Sequence, residues 1–140
     1  MDDRKRKDPG TLSESVRRRL LILEDEESIL KPMVRYFSTS GWEVVAAREP
    51  EEAEALFEHA RFDVVVLDLG LTGFGREGLS VLGSLRAREP HLPVVVLSGY
   101  LTPEVEAEAR RLGADAVLQK PYPLLGLAQV IEGLAGPAEG

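Results

Sequence analysis

Two runs of the chain read Val64-Val65-Val66-Leu67 and Val94-Val95-Val96-Leu97. Neither alternates apolar with polar residues, so neither suits a strand with one face in water. Short, continuous, β-branched runs of this kind fit strands buried on both faces, as in a parallel sheet covered by helices. That requirement constrains everything else, because parallel strands need helical crossovers between them. The chain has 140 residues. That suits one domain, which can bury about two thirds of its unfolded surface without a disulfide or metal staple.

The rest of the pattern supplies the crossovers. Leu20–Leu23 reads as a first strand. Ile29, Leu30, Met33, Val34 and Phe37 fall at helical spacing over 27–40, with Pro32 near the first turn and Gly41 as the stop. Trp42–Ala46 reads as a second strand, and Pro50 opens a helix with Ala53, Leu56 and Phe57 on one face. Phe62–Leu67 is the third strand, Leu79–Arg88 the third helix and Leu92–Leu97 the fourth strand. Thr102-Pro103-Glu104 is a cap, an N1 proline and an acidic first turn, opening a helix to Leu112 and Gly113. Ala116–Leu118 is a short fifth strand, and Leu124–Leu134 the last helix. The expectation is an α/β fold: a flavodoxin-like, doubly wound (βα)5 sandwich with a five-stranded parallel sheet of order 2-1-3-4-5. Residues 1–17, polar and broken by Pro9 and Gly10, read as a flexible tail, 18–135 as the domain, and 136–140 as a frayed end.

Composition narrows the chemistry. No cysteine is present, which removes disulfides, thiol nucleophiles and most zinc sites. The 24 acidic and 17 basic residues give a net charge of −7, which argues against a dedicated nucleic-acid surface. Arg4-Lys5-Arg6-Lys7 is flanked by Asp2, Asp3 and Asp8 and reads as solvated tail. No apolar run approaches the roughly 20 residues of a membrane helix, and MDDRKRKDPG lacks a hydrophobic signal region. A cytoplasmic protein is expected.

The polar residues fall at strand ends. Strand one is followed by Glu24-Asp25-Glu26, strand three by Asp68, strand four by Ser98-Gly99, and strand five by Gln119-Lys120-Pro121. Strand two ends in Ala46-Ala47, with nothing reactive. In open α/β sheets ligands bind beyond the carboxyl ends of the strands, where the winding reverses. Neighbouring strands one and three would bring Glu24, Asp25 and Asp68 together there. Two carboxylates about 4 Å apart cost on the order of 4 kcal/mol at an effective dielectric of about 20. Lys120 compensates in part, and a divalent cation such as Mg2+ would compensate further. With its charge offset, a carboxylate can act as nucleophile toward a phosphoryl group, while Ser98 and Lys120 contact phosphoryl oxygens. Taken singly, each of these residues reads as a turn or cap.

The segments LILEDEES, VVVLDLGL, VVVLSGY and ADAVLQKPY, in this order, resemble the receiver domain of two-component response regulators over about residues 18–135. The resemblance implies a phosphorylation-dependent signalling switch rather than an enzyme acting on a separate substrate. It implies Asp68 as phosphoacceptor, Ser98 as switch hydroxyl and Lys120 as the family lysine. Glu24, Asp25, Asp68 and the backbone carbonyl of Gly70 would hold Mg2+. It implies a histidine kinase or histidine phosphotransfer protein as donor and a downstream effector protein as partner. A phosphorylation-linked homodimer is also among its implications, with Val105, Ala107 and Ala109 suiting either core packing or a dimer face. Direct nucleic-acid or membrane binding is not implied. In the family the Lys-Pro peptide is often cis, so Lys120–Pro121 is a candidate cis bond.

Three departures stand out. Many receivers carry proline four residues and glycine eight residues after the phosphoacceptor. Here position 72 is Thr and the corresponding glycine is Gly78, ten residues on. Val117 occupies the position of the family's switch aromatic, with Tyr100 and Tyr122 as nearby candidates to replace it. Gly70 and Tyr100, two past Asp68 and Ser98, hold positions that line the path of attacking water in the family. Two alternatives remain open at this level. One is a receiver-like protein-binding scaffold without phosphotransfer. The other rests on Asp68-Leu69-Gly70-Leu71-Thr72, which resembles the DxDxT motif of haloacid-dehalogenase-type phosphatases, with glycine at the general-acid position. His59 and His91 read as surface residues.

Overall fold

The computed structural model describes residues 17–69 and 74–136. The readings of the tail over 1–16, of Gly70 and Thr72, and of the end over 137–140 lie outside the described residues. Five strands alternate with five helices: β1 Arg19–Leu23, α1 Glu27–Thr39, β2 Glu43–Ala47, α2 Pro50–His59, β3 Val64–Asp68, α3 Phe74–Arg88, β4 Val94–Ser98, α4 Pro103–Arg111, β5 Ala116–Gln119 and α5 Leu124–Ala135. All strand pairs are parallel, in the order β2-β1-β3-β4-β5. The expected topology is the observed one.

Strand parity divides the core, because successive side chains point to opposite faces. Leu21, Leu23, Val65, Leu67, Val94, Val96 and Val117 pack toward α2, α3 and α4. Leu20, Ile22, Val64, Val66, Val95 and Leu97 pack toward α1 and α5, against Leu30, Met33, Phe37, Leu127 and Ile131. All five residues of β3 and of β4 are buried, as a sheet covered on both sides demands. The same parity places Glu24, Asp68 and Lys120 on the α1/α5 side, and Ser98 with Val117 on the other.

Three local readings are corrected. Asp68 and Ser98 are the last residues of their strands rather than the first residues after them: Leu69 N–H donates to Leu97 O at 2.8 Å and Lys120 N–H to Ser98 O at 2.8 Å, so pairing runs past both. Helix α3 starts at Phe74, five residues earlier than its apolar pattern suggests. Its Gly78 leaves room for Leu69, because a Cβ on it would force the Leu69 Cδ2 methyl to move. Pro32 lies in the second turn of α1, inside the helix, where it has no N–H to offer the Ser28 carbonyl. Other readings match the structure. The Thr102 hydroxyl caps α4 by accepting the Val105 N–H at 3.1 Å. His59 and His91 are exposed, and His59 closes the last turn of α2, where an imidazolium would complement the helix dipole.

The amino end of the sheet is clamped by arginines. Arg18 stacks on Trp42, 4.4 Å from the ring centroid, and donates to Glu132 at 2.8 Å and to the Gly136 carbonyl. Arg86 donates to the carbonyls of Glu89, Pro90 and Gly113 and pairs with Asp115 at 3.3 Å. Gly113 has φ +110°, and a Cβ there would lie 2.6 Å from the Arg86 guanidine nitrogen. Glycine therefore serves both the turn and the clamp.

Candidate functional site

The site is built at the carboxyl ends of β1, β3 and β5. Register pairs Leu23 of β1 with Leu67 of β3, so Glu24 and Asp68 emerge side by side. Both are buried, with about 1% of their surface exposed. The Lys120 ammonium reaches in from the end of β5. It lies 2.7 Å from Asp68 Oδ1 and 3.7 Å from Glu24 Oε1. The other Glu24 oxygen accepts the Glu26 N–H at 2.8 Å, and the Glu24 N–H donates to the Ala47 carbonyl at 3.0 Å. Those backbone bonds fix Glu24 in its buried place. The Lys120–Pro121 peptide is cis.

Among the described residues, two almost wholly buried carboxyls meet one ammonium here. The Glu24 carboxyl responds by holding its proton and is pushed up to about 8. Burial is the largest cause and the Asp68 carboxyl beside it the next. The Glu26 N–H and the Lys120 charge pull the other way.

A cavity of about 920 Å³ opens from this cluster between α1 and α5. Its polar wall comprises Asp25, Glu26, Asp68 and Lys120. Asp25 and Glu26 are exposed. The structure thus joins Glu24, Asp68 and Lys120 in one contact cluster and sets Asp25 on the same cavity. Among the described residues no three His, Cys, Asp or Glu side chains form a closed metal-ligand group. The oxygen-donor chemistry nonetheless fits Mg2+, which takes one or two carboxylates and completes its shell with water and phosphate oxygens.

Ser98 is buried, and its hydroxyl accepts the Tyr100 N–H at 3.2 Å. By strand parity it faces α4 with Val117, which is buried and brings no ring. Tyr100 is 74% exposed, whereas Tyr122 lines the cavity and rests over Gly126. Strand β2 runs to Ala47, and Arg48 immediately beyond it donates to the Asp25 carbonyl and to Glu27, both at 3.2 Å.

The family model described as "Response regulator receiver domain" matches residues 20–132. A putative response regulator, NtrX-like, from Rickettsia typhi is 32% identical over 103 residues, covering 74% of this chain and 22% of that protein. The chain thus spans less than a quarter of that relative's length. Among solved structures, a CheY-like response regulator receiver domain protein from Methanospirillum hungatei JF-1 superposes with TM-score 0.79 at 26% identity, over 85% of this chain and 94% of that one. A response regulator from Burkholderia pseudomallei superposes with TM-score 0.75 at 26% identity, over 84% of this chain and 68% of that one. Its structure contains a phosphorylated aspartic acid, a calcium ion and citrate. The phosphatase alternative, which rested on a single pentapeptide, gives way to a match across the domain. The chain belongs to the response regulator receiver domain family.

Proposed function

We propose that this domain is a phosphorylation-dependent switch whose phosphoacceptor is Asp68. The observation that carries the reading is the Lys120–Asp68 contact at 2.7 Å, at the end of the central strand and open to an acidic cavity. An Asp68 carboxylate oxygen attacks the phosphorus of a phosphohistidine on a histidine kinase or phosphotransfer protein. The P–O bond to Asp68 forms, the P–N bond breaks, and the imidazole leaves. Lys120 holds Asp68 in position beforehand and then pairs with a phosphoryl oxygen, keeping charge balance across the step. Water attack on phosphorus later releases phosphate and restores the carboxylate. Glu24, Asp25 and Asp68, with the Gly70 carbonyl that the family resemblance implies, would hold Mg2+, which would supply positive charge to neutralise the incoming phosphoryl oxygens.

The conformational output starts at Ser98. Its hydroxyl turns to a phosphoryl oxygen and gives up the Tyr100 N–H, which frees the β4–α4 connection to shift toward an effector protein. Because Val117 has no ring to turn inward, the shift runs through the backbone at 98–102 rather than through an aromatic rotation on β5.

Beryllofluoride with Mg2+, and separately acetyl phosphate with Mg2+, test the reading by amide NMR. Expected are shifts at Asp68, at Ser98 to Thr102 and around Lys120, all absent in Asp68→Asn. Failure of both reagents to move these signals would favour the scaffold alternative.

A further inference from the structure

The cavity between α1 and α5 extends well past the residues that phosphoryl transfer uses. Beyond Asp68 and Lys120 it is walled by Ile29, Pro32 and Met33 of α1 and by Tyr122, Leu124 and Leu127 from the start of α5 and the segment before it. Met33 and Leu127 form a floor that is almost wholly buried, while Ile29, Tyr122 and Leu124 are half-buried walls. At about 920 Å³ the space is near the upper end of the roughly 300–1,000 Å³ of small-molecule sites. Its composition has the form of such sites, an apolar trough with a few polar groups at one end.

The polar end selects the sign of the ligand. Lys120 is engaged by Asp68 and Glu24, and Arg48 and Lys31 are engaged by Glu27. The Asp25 and Glu26 carboxylates have no ion-pair partner among the described residues, yet both face the cavity. An anionic head would meet two uncompensated carboxylates, and a neutral one would leave them as they are. A cationic head can donate to both while its tail covers the trough.

We propose that this cavity is a binding site for an organic cation with an apolar tail, an ammonium or guanidinium on an aliphatic chain. The head sits on Asp25 and Glu26, and the tail lies between Ile29 and Met33 on one side and Leu124 and Leu127 on the other. Because Asp25 also belongs to the proposed Mg2+ site, the amphiphile and Mg2+ exclude each other, and an occupied trough opposes phosphorylation. The binding itself does not depend on Asp68 being a phosphoacceptor, and the comparison of head groups uses unphosphorylated protein without metal.

The test compares n-octylammonium, n-octanol and n-octanoate, each below its aggregation limit, by methyl NMR of the full chain at pH 7. Octylammonium is expected to shift the methyl signals of Ile29, Met33, Leu124 and Leu127 saturably. It is expected to bind at least about tenfold more tightly than octanoate, because the two carboxylates attract the ammonium head and repel the carboxylate head. Glu26→Gln combined with Asp25→Asn, both exposed, should reduce it to the affinity of octanol. Adding Mg2+ should raise its apparent Kd. Ile29→Glu, on a half-buried wall, should abolish the tail shifts while the amide spectrum keeps the folded pattern. Equal affinity for the three heads, shifts away from the trough, or no saturation at millimolar ligand would each overturn the proposal.

Discussion

At the amino end of the sheet, Arg18 meets Glu132, the Trp42 ring and the Gly136 carbonyl, and Arg86 ties three carbonyls and Asp115 together. At the carboxyl end, among the described residues, Glu24 and Asp68 both lie against the Lys120 ammonium, and Asp25 and Glu26 have no ion-pair partner. One end satisfies its charges through partners that are distant in sequence and close in space. The other gathers like charges in a place where burial makes them costly. A fold gains nothing in stability from that second arrangement, so it is legible as chemistry.

Substitutions at the two ends should therefore separate activity from stability. The largest contrast is Asp68→Asn. It should abolish phosphoryl uptake entirely while leaving the unfolding free energy equal or higher, because Glu24, freed of the carboxylate beside it, can release its proton and take over the Lys120 ammonium. Phosphorylation assays and urea unfolding on the same sample read both. Arg86→Ala should do the reverse. Losing its hydrogen bonds to the 89–90 and 113–115 turns should cost about 2–3 kcal/mol in urea unfolding, with phosphorylation rate changed less than about twofold at temperatures where the protein stays folded.

A third contrast is in pH. The Glu24 carboxyl titrates near 4.5 when unexceptional and near 8 in the folded chain. Between those values the folded state holds a proton that the unfolded state has lost. Stability is fully present below about pH 4.5 and declines as pH rises through 8, by at most about 1.4 kcal/mol per unit. Glu24→Gln should flatten the profile measured by thermal unfolding across pH 5 to 8. Saturating Mg2+ should flatten it too, and calorimetry in buffers of different ionisation enthalpy should show proton release on Mg2+ binding over that window. The smallest effect is expected from Arg48→Ala. The exposed guanidinium should contribute less than about 1 kcal/mol to stability, but loss of its bond to the Asp25 carbonyl should broaden the Asp25 and Glu26 amide signals. Lysine at position 48 should restore them in part.

The site end is more legible in the sequence than the clamp end, and the reason is physical. A carboxylate or lysine directly after an apolar strand breaks a local pattern, so Asp68, Ser98 and Lys120 stand out against VVVL, VVVL and AVLQ. The strand order follows from the doubly wound rule, and with it the meeting of Glu24 and Asp68. Arg18 and Arg86 look like ordinary surface charges, because their partners are set by tertiary contact rather than spacing. The start of α3 is hidden by Gly75 and Gly78, whose low helix propensity is overruled where Leu69 must pack against Gly78. Arg48 follows a small-residue strand end and precedes Glu49, so it reads as a solvated turn charge. The trough between α1 and α5 has no local signal, since Met33 and Leu127 read as core residues of their helices, and they are buried.

The central claim is that Asp68 accepts a phosphoryl group in a site completed by Lys120. Its most direct measurement is phosphorylation with acetyl phosphate and Mg2+, followed by borohydride reduction of the acyl phosphate and peptide mass spectrometry. The account predicts reduction to homoserine at position 68 alone, lost in Asp68→Asn and strongly slowed in Lys120→Ala. Reduction at Asp25, at Glu24 or at no carboxylate, with the protein folded by its amide spectrum, would contradict it.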